Sequence, residues 1–195
     1  MGKNKVRFGF SNVVMSVITE SVAQDGTITY SYGTPFPVPG AVNFNPSPSG
    51  DSNEFKADNM TYFQDLANNG YEGDLEMAKF PEAVHTNILG RTLDNNGALI
   101  ESKDDVTKRF ALGFQMEGDV NGTRAWFYDC SVTSRPSLEA STIENAKEPK
   151  TQSMGIKCNP RKSDGKTLVS LEKSTENATV YNSFLSEVYE QNTQG

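Results

Sequence analysis

Hydrophobic and polar residues alternate with a period of two through most of this chain, which predicts strands rather than helices. Residues 5–19 open the series with Val6, Phe8, Phe10, Val14 and Ile18 on one face, while Lys5, Arg7, Gly9 and Ser11 start the other. Asp25-Gly26 predicts a turn into a short strand from Thr27 to Tyr32. In 109–117, Phe110, Leu112, Phe114 and Met116 share a face. In 123–132, Arg124, Trp126, Tyr128, Cys130 and Val132 face one way, and Thr123, Ala125, Phe127, Asp129 and Ser131 the other. The connection Asp119-Val120-Asn121-Gly122 ends in Asn-Gly, a strong short-range hairpin signal. Residues 151–158, with Met154, Ile156 and Cys158 inward, and Thr167 to Leu171 complete the series. Two segments switch to helical spacing. One is 81–89, with Val84, Ile88 and Leu89 between Pro81 and Gly90, and with His85 on its polar side. The other is C-terminal, where Val180, Tyr181, Phe184, Leu185, Val188 and Tyr189 recur in pairs after a cap at Asn177 or Thr175.

The irregular part of the chain is 33–53, which holds Gly33, Pro35, Pro37, Pro39, Gly40, Pro46, Pro48 and Gly50 and ends near Asp51. Proline removes backbone donors and is excluded from central strands. The expectation is an extended edge strand over 38–44 followed by a long loop, which is either functional or a mobile surface segment. Short strands at Glu54–Ala57 and Tyr62–Phe63 flank a turn at Asp58-Asn59. Asp94-Asn95-Asn96-Gly97 reads as a turn before a short strand, Ala98-Leu99-Ile100, and lacks the spaced oxygen ligands of a calcium loop. Residues 137–150 alternate only weakly.

One strand pattern carries unusual chemistry. Over 71–77, Glu72, Asp74 and Glu76 fall on one face, and Tyr71, Leu75 and Met77 on the other, with Gly73 between. The acidic row fits the solvent face of a half-exposed antiparallel strand. A glycosidase needs two carboxylates facing each other across a sugar, whereas neighbours along one strand face the same way.

Composition narrows the function classes. With 18 Lys plus Arg against 25 Asp plus Glu, the formal charge is −7, which argues against a grip on nucleic-acid phosphates. Cys130 and Cys158 are too few for a disulfide scaffold and read as reduced, buried thiols. His85 is the lone histidine, and no zinc spacing, P-loop, nucleophile elbow or dinucleotide turn is present. The expectation is therefore a protein with no catalytic site, cofactor or metal. No run is apolar enough to span a membrane, and Arg7, Ser11, Asn12 and Ser16 break up the N-terminus as a signal peptide. The 195 residues suit a β domain over 1–172 and a helical extension over 173–195.

The stretch NNGYEGDLEMAKFPE at 68–82, with VRFGFSNV at 6–13 and FYDCSVTSRPS at 127–137, resembles the major tail proteins of long-tailed phages infecting Gram-positive bacteria. The order and spacing match along most of the chain. The resemblance implies a mainly β fold: an antiparallel β-sandwich or β-barrel of the tail-tube kind, with one short flanking helix and a C-terminal helix. It implies homo-hexameric rings that stack into a tube, contacts with other tail proteins, and DNA that passes through the lumen without specific binding or membrane involvement. It places the protein in the virion tail, assembled in the host bacterial cytoplasm. On this reading Glu72, Asp74 and Glu76, with Asp129 or Glu117, line the lumen. The loop carrying Pro35, Pro37, Pro39, Pro46, Pro48 and Asp51 reaches the next ring, and the C-terminal helix docks on a neighbour. The competing reading is a carbohydrate-binding or adhesin-like β-sandwich that recognises its ligand with loop 33–53 or with an aromatic face of Trp126 and Tyr128, if that face is not core.

Overall fold

A computed structural model of the protein describes residues 4–142 and 149–191, so the expectations for 143–148 and for the last residues of the C-terminal extension lie outside the described residues. The chain is mainly β and antiparallel, with two short helices. Strand β1 (Arg7–Val22) pairs through its tail with β2 (Ile28–Tyr32) and through most of its length with the much later β11 (Phe110–Gly118). The hairpin continues from β11 into β12 (Thr123–Ser134), as its alternation and Asn-Gly turn predict. Beyond β12 come β13 (Gln152–Cys158) and then β8 (Tyr71–Met77), while β14 (Leu168–Glu172) pairs with the first half of β12. A small hairpin, β9 (Thr92–Leu93) and β10 (Leu99–Ile100), closes on Asp94, whose carboxylate accepts the backbone N–H groups of Asn96 and Ala98.

The proline-rich stretch does not project as a loop. It forms β3 (Phe36–Pro37) against Val14 and Met15 of β1, crosses over, and forms β4 (Ala41–Phe44) and β5 (Ser47–Pro48) against β8. One continuous segment thus links β1 to β8, the two sides of the sheet, and rolls it around a single interior. Rings from opposite walls meet there: Phe44 of β4 lies 6.2 Å from Phe10 of β1, 5.7 Å from Phe114 of β11 and 6.0 Å from Phe127 of β12. Helix α1 (Glu82–Asn87) plugs one part of this interior with Val84, followed by Ile88 and Leu89, all essentially inaccessible. Pro81 is its N-cap rather than its first helical residue.

What projects is the next segment. β6 (Ser52–Ala57) and β7 (Met60–Leu66) pair only with each other, around a turn in which Asp58 and Asn59 have φ of 54° and 59°. Two consecutive left-handed residues define a type I′ turn, which matches the strand twist and suits Asp and Asn. Backbone bonds from Ser49 N to Gly70 O, Asn69 N to Ser49 O and Ala67 N to Asp51 O join this pair to β5 and β8. The result is one long hairpin whose outer part extends roughly 20 Å, at about 3.4 Å per residue.

Bulges overturn several sequence-based face assignments. Register slips in β1 between Phe8 and Phe10 and between Ser11 and Val14 coincide with positive φ at Gly9 and Asn12. Each slip adds a residue and shifts the alternation. Val13 and Met15 therefore enter the interior, Val14 packs on the opposite face, and Phe8, expected inside, is 58% exposed. In β12 a slip opposite Phe110–Leu112 puts Cys130 on the interior face with Phe127 and parts it from Trp126 and Tyr128.

Trp126 and Tyr128 instead join Ala111 in a second apolar layer, covered by the C-terminal segment through Phe184 and Val188. This is why they are core and not a sugar platform. The Trp126 indole N–H donates to the Phe184 carbonyl at 2.7 Å, and the Tyr128 hydroxyl to the Tyr189 carbonyl at 2.8 Å. Gly113 opposite makes room for the indole: a Cβ there would stand 2.9 Å from the ring and 2.7 Å from Val14. Helix α2 (Ala178–Ser183) is shorter than the hydrophobic repeat predicts. Beyond it the sheet's own donors take the carbonyls of Phe184 and Tyr189, so tertiary contacts override local helical preference. Asn177 is the N-cap, but its side chain bonds back to Ser174 and Glu172 rather than capping the helix.

Arg161 secures the end of this segment. It is 5% exposed, stacks 4.2 Å over the Tyr128 ring, and pairs with Asp164 and Glu190. Burial raises the Asp164 carboxyl, but hydrogen bonds from Arg161 and Lys166 outweigh it and hold the group at about 2. A depressed carboxyl contributes stability that is full above its ordinary value of 3.8 and is lost as pH falls toward 2. A melting-temperature series between about pH 5 and 2 should therefore fall more steeply for the wild type than for Asp164→Asn. Parallel curves would remove this contact from the acid response.

Candidate functional site

The acidic row of β8 is presented as its alternation predicts. Glu72 and Asp74 are exposed and Glu76 is half-buried, while Leu75 and Met77 on the reverse face are fully buried. Gly73 allows the kink between β4 and β5 to pass close by, since a Cβ there would meet the Asn45 carbonyl at 2.4 Å. Across β13 the register sets Lys157 opposite Glu72, Gly155 opposite Asp74 and Ser153 opposite Glu76. On the other edge Ser47 stands opposite Glu72 and Asn43 opposite Glu76. Glu76 accepts the Thr151 hydroxyl at 2.5 Å. Among the described residues none of the three carboxylates takes part in a salt bridge. Residues two apart on a strand lie about 6.8 Å from each other, so the row is a negative ribbon whose directly opposed cation is Lys157, across from Glu72.

Two residues proposed to extend that ribbon lie elsewhere. Asp129 is 1% exposed and is held by the Arg109 guanidinium, which also binds Glu20 and the Tyr30 hydroxyl. A buried carboxylate paired this way serves the fold and lines no open surface. Glu117 sits at the far end of β11, where it accepts the Gln115 amide, three strands from β8. His85 is buried rather than solvated: its ring Nδ1 accepts from the Arg91 guanidinium at 3.2 Å, and burial, with Arg91 beside it, lowers its pKa.

The residues expected to reach a neighbour also divide. Pro35, Pro37, Pro39, Pro46 and Pro48 lie along the body of the sheet, with Pro37 paired to Val14 and Pro48 to Tyr71. Asp51 stands at the base of the projecting hairpin. The hairpin beyond it carries Met60 at 63%, Tyr62 at 76% and Phe63 at 59% exposure. These three large side chains are exposed close together along the chain. The signal was in the sequence, since Met60, Tyr62 and Phe63 cluster beside an Asp-Asn turn. The acidic row and this tip belong to one hairpin, running from Ala41 to Met77.

Among the described residues no cluster of His, Cys, Asp and Glu is placed to hold a metal ion, and no helix is long and apolar enough to cross a membrane. Compared with known protein families and with curated proteins, the chain matches no family model and no curated sequence.

Proposed function

We propose that this protein is a self-assembling tube subunit of the phage major-tail-protein kind, forming stacked hexameric rings through which DNA passes. The observation that carries this reading is the two-stranded arm, which leaves the sheet with Met60, Tyr62 and Phe63 exposed. A second copy of the chain is the occupant that fits, because a repeating contact from one subunit to the next turns rings into a tube. The acidic ribbon of β8 suits the inner wall: like charge repels phosphate and lets DNA slide without being held. The same reading puts the assembled protein in a virion tail, in contact with other tail components.

Negative-stain microscopy of the purified protein over a concentration series tests the class. Rings or hollow tubes are the expected result; a monomer at every concentration, together with glycan binding, would favour the adhesin-like alternative. The wall assignment has its own test. Tubes carrying Glu72→Lys and Asp74→Lys should retain short duplex DNA on sedimentation in a salt-sensitive way, whereas wild-type tubes should leave it in the supernatant. Equal recovery from both would remove the ribbon from the lumen.

A further inference from the structure

We infer that Cys130 and Cys158 are a latent disulfide site, a covalent clip between β12 and β13 that a small disulfide such as oxidised glutathione can close. Both thiols are free and buried, and their Sγ atoms lie 3.2 Å apart. They are direct cross-strand partners. The next pair along, Asp129 and Asn159, is a hydrogen-bonded one, since Asn159 N–H donates to the Asp129 carbonyl at 2.7 Å. Pairs alternate along an antiparallel ladder, so Cys130 and Cys158 occupy a non-hydrogen-bonded position, where Cα atoms approach to about 4.5 Å and side chains come closest. That spacing falls within the Cα window of disulfides, about 4.4–6.8 Å. The bulge in β12 is what makes the meeting possible, because it turns Cys130 to the interior face that Cys158 already occupies.

The chemistry balances without any other group. One cysteine thiolate attacks glutathione disulfide, forming a mixed disulfide and releasing one glutathione thiolate. The second cysteine then attacks the protein sulfur of the mixed disulfide, forming the Cys130–Cys158 bond and releasing the second glutathione. The protein loses two protons and two electrons, and the oxidant gains them as two glutathione thiols. Burial, with Cys158 alongside, pushes the Cys130 thiol up, so the thiolate is scarce and exchange waits on transient opening of the β12–β13 pair. The same burial shields the product from reductants. In a reducing compartment the pair therefore stays open, and in an oxidising one it closes. The inference does not depend on the tube reading.

The test uses the full chain, purified reduced and then held with excess oxidised glutathione, with and without a sub-denaturing level of urea to permit opening. The expected result is an intact mass lower by two hydrogen atoms. Non-reducing peptide maps should then join the peptides holding Cys130 and Cys158, and the melting temperature should rise by roughly 10 °C, as for a closed loop of this size. Cys130→Ala and Cys158→Ala should each show neither the mass loss nor the rise. Glutathione adducts that never resolve, or an unchanged mass in urea, would overturn the inference. Both outcomes are read on the wild type, so the variants' own stability does not decide the result.

Discussion

Replacing residues 50–68 with an Asn-Gly turn should leave a folded protein that no longer assembles. The replacement closes the hairpin just beyond β5 and β8, at Ser49 and Asn69, where backbone bonds already pair the strands. None of the described side chains of the deleted segment belongs to either apolar core, so the melting temperature should move by only a few degrees. Assembly is a different matter. Burying exposed aromatic side chains at a contact contributes on the order of 1.5–3 kcal/mol each. The double variant Tyr62→Ser/Phe63→Ser should therefore raise the concentration needed for polymer formation by at least about tenfold. Light scattering over a dilution series reads both effects. Tubes that form at the wild-type concentration without the arm would mean that some other surface joins the subunits, and the proposed role of the arm would fall.

The second large effect concerns the covered face of the sheet. Trp126→Ala should destabilise the fold by about 3–5 kcal/mol, as expected for emptying a fully buried aromatic site. For a chain of this length that is a fall in melting temperature of roughly 10 °C. The loss has two parts. The indole fills the space above Gly113 and packs with Phe184 and Val188, and its N–H satisfies the Phe184 carbonyl. Trp126→Phe keeps a six-membered ring but removes the donor together with the rest of the indole, so it should cost less, about 1–3 kcal/mol. Limited proteolysis supplies a second readout. Cleavage between 177 and 190 should accelerate in Trp126→Ala well before global unfolding, because the segment loses its central anchor. Equal cleavage rates would show that Arg161 and Tyr128 hold the segment unaided.

Much of this was legible in the sequence where local pattern and global fold agree. The β11–β12 hairpin, the acidic and apolar faces of β8, and the turn at Asp25-Gly26 emerge where alternation predicts them. Reading failed where a single residue shifts the register. Gly9 and Asn12 are compatible with an ordinary strand on paper, and only pairing with β11 selects the bulged backbone that expels Phe8. The prolines misled in another way. They exclude a central strand but permit short edge pairings, so a segment that looks like a loop became the connection that rolls the sheet. Trp126 and Tyr128 were recognisable as large and apolar, but what covers them comes from residues 184–188, more than fifty positions along, and no local pattern encodes that contact.

The pairing of β1 with β11 also bears on how the chain reaches this state. Arg7 partners Gly118 and Val17 partners Phe110, so β1 must wait for a partner strand made about a hundred residues later. Meanwhile the arm and the β11–β12 hairpin, whose strands are neighbours in sequence, can form as soon as they emerge. The nascent chain can pair β1 early with β2 and β3, but the β11 edge of β1 stays open through much of its synthesis, a period in which association between chains competes with folding. Closure of the sheet is a late event, and the yield of native protein should depend more on chain concentration and temperature during synthesis than on the stability of the finished fold.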